Sequence, residues 1–236
     1  MFLDTFYSLD DGYMVITPEQ ASRFAKDVAG DYNHIHDPNA RRFCVPGDLL
    51  FALVLNRFGL SQQMGFRFHS MVGRQARLLV QENDGKLQVV DHEGKLCLEA
   101  TCEGENTQEA AVIEAFTRRY VAFSGLNFPH YLKPLLKKHG VMFSPERPLV
   151  IYDSMGFELS SLAVEGCDLE LAGSDMRVEG KRAEAFLEFK ITDDGHVVGR
   201  GSKKLIVSGL RPYESDVMAA TIAEYDRLKD VHKDPT

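Results

Sequence analysis

The amino-acid sequence predicts an α+β fold in which antiparallel sheets wrap buried helices, and three observations lead to this prediction. A helix-forming segment at 49–55 is apolar on every face, so the rest of the protein must surround it. Segments of alternating polarity follow at 75–81, 86–90 and 95–102, separated by Asn-Asp-Gly and His-Glu-Gly turns. A comparable series of strand-like segments begins again after residue 149.

The first helix has a start and an end that are encoded locally. Thr17 can cap it, Pro18 suits the first turn because its missing N–H costs nothing there, and Gln20 completes a capping box. Gly30 is expected to end this helix. Residues 31–36 therefore lie on the loop that leaves it. The buried helix that follows is expected at about 47–58.

The second half partly repeats this organisation. A helix is expected at 126–139, and an amphipathic helix at about 215–231 closes the chain. Between them the alternating segments predict strands at 149–152, 157–164, 167–171, 183–191 and 196–207. The sequence therefore predicts two units, 1–125 and 126–236, each an antiparallel sheet around a helix.

Composition excludes several classes of function. A net charge of −8 is unfavourable for a surface that neutralises nucleic-acid phosphates. The longest strongly apolar run has seven residues, far fewer than the roughly 20 of a membrane helix. The four cysteines form no CxxC pair, which favours a reducing compartment, and Cys97 and Cys102 are interpreted as small buried residues. Together with a start that lacks a secretion signal, these features predict a soluble cytoplasmic protein.

The most informative segment is residues 30–36, Gly-Asp-Tyr-Asn-His-Ile-His. It places Asp31, Asn33, His34 and His36 directly before a helix that must be buried, where pKa values are tuned and catalysis is usual. A structural interpretation is also open, in which Asp31 caps a turn and His36 makes one satisfied hydrogen bond. The whole constellation favours a functional site.

Residues 24–36 closely resemble the signature of the MaoC-like, or (R)-specific enoyl-CoA hydratase, family. That signature reads Gly-Asp-x-Asn-Pro-Ile-His and precedes the buried helix of a hotdog fold, and residues 17–58 match it in order and spacing. The resemblance implies a tandem (double) hotdog whose second half is a degenerate copy. The chain also resembles the DUF3581 group of bacterial proteins.

The resemblance implies roles for individual residues. Asp31 and His36 would share the acid–base work of hydrating a 2-enoyl thioester, and Asn33 would order the loop or the water. The backbone N–H of Gly47, at the start of the buried helix, would stabilise the developing charge on the thioester oxygen. The expected partner is an acyl-CoA or acyl-carrier thioester, with no cofactor, no metal and a possible homodimer.

Two departures from the family pattern keep other functions open. His34 stands where the family has proline, and Val45-Pro46-Gly47 stands where the family usually has Ala-His-Gly. A non-catalytic module that binds acyl thioesters or lipids is one alternative. An acyl-CoA thioesterase, in which Asp31 directs water at the carbonyl carbon, is another. Asp48 suits the positive end of the helix and is interpreted as a cap.

Overall fold

The computed structural model describes residues 2–145 and 149–233, in which a large antiparallel sheet carries helices on its faces. Within these residues the α-helices are α1 (Pro18–Arg23), α2 (Gly47–Phe58), α3 (Ala110–Gly125), α4 (Leu132–Lys138) and α5 (Ser215–Lys233). The strands are β1 (Ser8–Asp10), β2 (Tyr13–Val15), β3 (Leu60–Phe68), β4 (Arg77–Asn83), β5 (Lys86–Asp91), β6 (Leu96–Thr107), β7 (Val141–Met142), β8 (Leu149–Leu159), β9 (Asp168–Glu179), β10 (Arg182–Asp193), β11 (His196–Ser208) and β12 (Arg211–Pro212).

The main sheet contains two consecutive sets of four strands with the same connections. Its order is β1-β2-β4-β5-β6-β3-β8-β11-β10-β9, so in each set the last strand pairs with the first. The two sets join where β3 and β8 pair antiparallel, with Gly65 opposite Gly156. A Cβ on Gly156 would lie only 3.0 Å from the carbonyl oxygen of Met64. The sheet therefore continues from one set into the other, and the predicted α+β architecture of antiparallel strands around a buried helix is present.

Helix α2 is the centre of the larger core. The segment from Leu49 to Leu55 is at most 2% exposed at every residue, as its apolar sequence predicts. Phe51 stacks on Tyr120 of α3, with ring centroids 4.6 Å apart. The helix ends before Gly59, whose φ of 87° and close approach to the Thr107 carbonyl oxygen admit no side chain. The C-terminal end of the buried helix is thus fixed by Gly59.

The local signals around α1 are also confirmed. The Thr17 side chain accepts a hydrogen bond from the Gln20 N–H, and the Gln20 side chain accepts one from the Thr17 N–H. A π-helical turn, Phe24–Ala29, extends the helix. Gly30 then takes a left-handed conformation, with φ of 65°, and releases the chain into the loop at 31–36.

A second, smaller core lies between α4, α5 and the strands β9 to β11. Its buried members include Leu132, Leu136, Met142, Leu187, Val207 and Met218. Helix α5 contributes Met218 to this core and Tyr225 to the loop at 31–36. The C-terminal helix therefore connects the second core with the segment that the sequence singles out.

The structure corrects several predicted elements. Strand β3 and helix α3 were not predicted, and the helix expected at 126–139 is a π-helical turn, Asn127–Tyr131, followed by the short α4. The strands expected at 149–152 and 157–164 are replaced by one continuous strand, β8, which ends at Leu159 and leaves 160–164 outside it. The sequence does not reveal β3, because Leu60-Ser-Gln-Gln-Met does not alternate regularly and its sheet neighbours β6 and β8 come later in the chain.

The cysteines divide into two classes. Cys97 is 2% exposed, as expected, whereas Cys102 is exposed, so its interpretation as a buried residue was wrong. It lies on β6 where that strand runs beyond the core. Among the described helices, none combines the length and the hydropathy needed to cross a membrane.

Replacing Leu53 by alanine tests the role of α2. Leu53 is fully buried, so Leu53→Ala is expected to lower the free energy of unfolding by about 2–5 kcal/mol. Urea denaturation followed by circular dichroism measures this loss. Leu9, which is 70% exposed, provides the control, since Leu9→Ala is expected to change stability by less than about 0.5 kcal/mol. Equal losses in the two variants would contradict the central position of α2.

Candidate functional site

The predicted loop borders a cavity of about 200 Å³ at the N-terminal end of α2. Apolar side chains from α2, β8 and the segment 68–72 form much of its wall. The lining residues also include Asp31, His36, Gly47, Asp48, Ser124, Asn127 and Tyr152. The last three come from the middle of the chain and were not predicted.

Asp31 and His36 form a close pair at the cavity. The Nε2 atom of His36 lies 3.5 Å from Asp31 Oδ2, and Nδ1 lies 2.7 Å from the carbonyl oxygen of Cys44. Because a carbonyl only accepts, Nδ1 carries a proton and donates it. This leaves Nε2 as the atom that faces Asp31. Burial opposes protonation of His36, yet the carboxylate of Asp31 and the Cys44 carbonyl raise its pKa overall.

The loop conformation follows from short-range hydrogen bonds. The Asp31 N–H donates to Ala25 O at 2.8 Å, and Asp31 Oδ1 accepts from the Asn33 N–H at 2.9 Å. The Asn33 side chain in turn accepts from the Ile35 N–H at 3.3 Å. These turns leave Asp31 Oδ2 turned toward His36. Asn33 shapes the loop through its own backbone contacts and does not line the cavity.

His34 points away from the cavity. Its Nδ1 atom is 3.0 Å from Asp37 Oδ2, and Lys26 donates to the other oxygen of Asp37 at 2.8 Å. The hydrogen bond to Asp37 raises the pKa of His34 despite partial burial. His34 borders a separate cavity of about 320 Å³ between the loop and α5. His34, which stands where the MaoC-like signature has proline, therefore titrates outside the cavity that Asp31 and His36 share.

Gly47 occupies the first turn of α2 in a position where no other residue fits. A Cβ there would lie 2.9 Å from a ring atom of Phe68 and 2.9 Å from a ring atom of Tyr152. The first N–H groups of a helix have no acceptor within the helix. The Gly47 N–H belongs to this group and borders the cavity, at the positive end of the helix dipole. It can receive a developing negative charge.

Asp48 is a buried member of the site, and its interpretation as a helix cap was wrong. The residue is 3% exposed, and the N-cap of α2 is Pro46, which provides no side-chain cap. Asp48 Oδ2 instead accepts a hydrogen bond from the Tyr152 hydroxyl at 3.1 Å. Tyr152 itself accepts from Asn127 Nδ2 at 3.0 Å. Burial raises the pKa of Asp48, although the Lys203 charge and the side chains of Ser124 and Tyr152 oppose the shift.

Lys203 is a buried cation that interacts electrostatically with Asp48. It is 1% exposed, its amine donates to the Ser124 hydroxyl, and it lies 4.1 Å from the ring centroid of Tyr120. Burial lowers its pKa to about 8, while the Asp48 charge opposes the shift. The alternation of β11 gives a signal for its position, because Leu205 and Val207 on the same face are also buried. A lysine that shares a strand face with two buried residues is predicted to be buried as well.

The family that matches the chain is described as "Protein of unknown function (DUF3581)", and the match covers residues 1–216. The chain belongs to the DUF3581 family. No curated protein matches it. The DUF3581 assignment thus agrees with one of the resemblances seen in the sequence.

Several solved structures are similar to the chain at low identity. The tesB protein of Mycobacterium avium subs paratuberculosis is 10% identical, with 87% of this chain and 97% of that chain covered and a TM-score of 0.45. A protein with a hot dog fold from Alicyclobacillus acidocaldarius is 10% identical, with 90% and 98% covered and a TM-score of 0.43. A MaoC-like dehydratase is 12% identical, with 85% and 97% covered and a TM-score of 0.42. These likenesses assign no activity.

Tyr225 holds the peptide groups on both sides of Asp31, although α5 lies almost entirely beyond the part of the chain that matches DUF3581. Its hydroxyl accepts from the Tyr32 N–H at 3.2 Å. The same oxygen lies 3.2 Å from Gly30 O and 3.4 Å from Gly125 O, to which it can donate. Gly125, at the end of α3, permits the close approach to Ala29, since a Cβ there would overlap Ala29 O at 1.8 Å. One buried phenol thus holds the loop from α5.

Removal of this hydroxyl tests its role in holding the loop. Tyr225→Phe keeps the ring but leaves buried peptide groups without their partner, which costs about 1–3 kcal/mol. We expect faster amide hydrogen exchange at 30–36 and little change at 49–55, measured by mass spectrometry of peptides from the two segments. Tyr213→Phe, two residues before the start of the same helix, is the matched control. Unchanged exchange at 30–36 in Tyr225→Phe would show that other contacts hold the loop.

Proposed function

We propose that this chain processes acyl thioesters and that it hydrates a 2-enoyl thioester, such as an enoyl-CoA. The observation that carries the proposal is the pair of Asp31 and His36 on one cavity with the N–H of Gly47. Hydration needs a base for water, an acid for Cα and donors for the thioester oxygen. The cavity offers a group of each kind.

The chemistry assigns a task to each group. The thioester oxygen would accept from the Gly47 N–H, where the helix dipole favours the charge that forms as water adds. Water at the Asp31–His36 pair would lose a proton to that pair while its oxygen attacks Cβ. The donation of His36 Nδ1 to Cys44 fixes the orientation of the ring, so Nε2 stays turned toward the pair. The reverse sequence of steps dehydrates a 3-hydroxyacyl thioester.

The fold proposal is a tandem hotdog with units at 1–125 and 126–236. The repeated connection pattern of β3 to β6 and β8 to β11 supports it, as does the presence of two cores. The site draws on both units, because Asn127 and Tyr152 lie in the second. A partner copy supplied within the chain also completes a sheet that a single unit would leave with an open edge. A homodimer and a cytoplasmic location stay predictions of the sequence.

The cavity of about 200 Å³ has several apolar side chains in its wall, which suits an acyl chain. Crotonyl-CoA and 2-hexenoyl-CoA are the first substrates to test. A binding module or a thioesterase would use the same cavity, and the assay has to separate these functions.

Two substitutions test the catalytic pair. Asp31→Asn keeps the shape of the side chain and removes its charge, so we expect the hydration rate with crotonyl-CoA to fall roughly 100-fold or more. His36→Ala is expected to cause a similar loss, and the double variant little more, because paired groups act as a unit. The loss of enoyl-thioester absorbance measures hydration, and a thiol reagent measures release of CoA.

The controls separate the alternatives. His34→Ala changes a neighbouring histidine that points away from the cavity and is expected to keep the activity of the unaltered protein. Thiol release without hydration would favour a thioesterase, and binding without either reaction would favour a non-catalytic module. Full activity in folded Asp31→Asn protein would overturn the assignment of the pair.

A further inference from the structure

We propose that Asp48 is a second catalytic carboxylate, which delivers the proton to Cα of the substrate while Asp31 and His36 handle the water. This inference rests on the proposed hydration. Asp48 lines the same cavity as the pair, and it lies on another element, the first turn of α2. The site would then contain two separate proton-transfer centres.

One carboxyl oxygen of Asp48 is buried without a hydrogen-bond partner in good geometry. Oδ2 accepts from Tyr152 at 3.1 Å, and the Ser124 side chain also favours the charged carboxylate, but Oδ1 has no such partner among the described residues. A buried carboxyl oxygen without a partner is costly, so native structures rarely keep one without a reason. An atom of the ligand or a transferable proton at Oδ1 provides that reason.

The position of Asp48 suits proton transfer at Cα. It directly follows Gly47, whose N–H is the proposed donor to the thioester oxygen. Cα is two bonds from that oxygen, so a substrate bound at Gly47 brings Cα to the first turn of α2, where Asp48 lies. Asp31 and His36 approach the cavity from the loop instead. Because these two residues share a contact of 3.5 Å, they act as one centre and can take the proton of water as a unit.

Lys203 explains how the site tolerates the charge that such a transfer creates. Its ammonium group is buried and donates to Ser124, and its electrostatic interaction with Asp48 opposes the effect of burial on both groups. The titratable groups that interact electrostatically with Asp48 include Lys203, Asp31 with opposite sign, and His36. A carboxylate formed at Asp48 has a compensating cation close by, which a buried charge requires.

An O–H bond of water breaks and its proton passes to the Asp31–His36 pair, while the water oxygen bonds to Cβ. The π electrons of the double bond move to the thioester oxygen at Gly47. The enolate then collapses, Cα takes the proton from the Asp48 carboxyl group, and Asp48 remains as a carboxylate beside Lys203. A proton returns from the pair to Asp48 through solvent, so that water is the only species consumed.

The experiment measures where the Cα proton comes from. Hydration of crotonyl-CoA is run in D₂O with the full chain, and NMR of the product gives the stereochemistry of deuterium at Cα. We expect one Cα stereoisomer from the unaltered protein. Asp48→Asn is expected to slow hydration roughly 100-fold or more, and its residual product is expected to carry deuterium on both faces, because solvent then supplies the proton.

Two variants serve as controls. Asp31→Asn is also slow, but it keeps the Asp48 carboxyl and should give one stereoisomer. Tyr152→Phe removes the hydrogen bond to Asp48 without removing the acid, so it should also give one stereoisomer.

If Asp48→Asn does not fold, the double variant Asp48→Asn/Lys203→Met is measured instead. It removes both buried charges together, which is better tolerated than an unpaired charge.

The outcomes distinguish this inference from the proposed function. An unaltered protein that hydrates no enoyl thioester overturns the proposed function and this inference with it. An active protein whose Asp48→Asn variant keeps its rate, or keeps one Cα stereoisomer, overturns the inference alone and leaves Asp31 and His36 as the acid–base pair. A slow variant with mixed stereochemistry supports Asp48 as the proton donor.

Discussion

The burial of α2 is the constraint on which the rest of the structure depends. An apolar helix of this kind must be covered on every side by the sheet and by α3. Most of its side chains are therefore used in packing, and its N-terminal end is the part that reaches the cavity. There the helix presents unpaired N–H groups and the positive end of its dipole. The site forms where the buried helix has to end.

Burial also explains why the charged groups of the site come in opposed pairs. A buried carboxylate or ammonium is costly unless a partner of opposite sign compensates it. His36 has Asp31 at 3.5 Å, and Asp48 has the nearby Lys203. Removing one member leaves the other uncompensated, so the groups that give the cavity its chemistry also make the fold sensitive to their loss.

What the sequence predicts well is what depends on short stretches of chain. The capping box at Thr17, the end of the helix at Gly30 and the bounds of α2 are each encoded within a few residues, and all three are confirmed. The turn between Asp31 and Asn33 is equally local. The interpretation of Asp48 as a cap failed because Tyr152, the side chain that binds it, lies 104 positions away, and no local pattern connects the two residues.

Some contacts were not revealed by the sequence. They complete the site by joining the two sets of strands. Loop 31–36 and the start of α2 come from the first half, and their orientation depends on side chains of the second. Tyr152 on β8 holds Asp48, and Tyr225 on α5 holds the peptide groups on either side of Asp31. The second half lacks the motif found at 30–36. Its side chains nevertheless hold the loop and the helix end that border the cavity. The two halves contribute different parts of one candidate site.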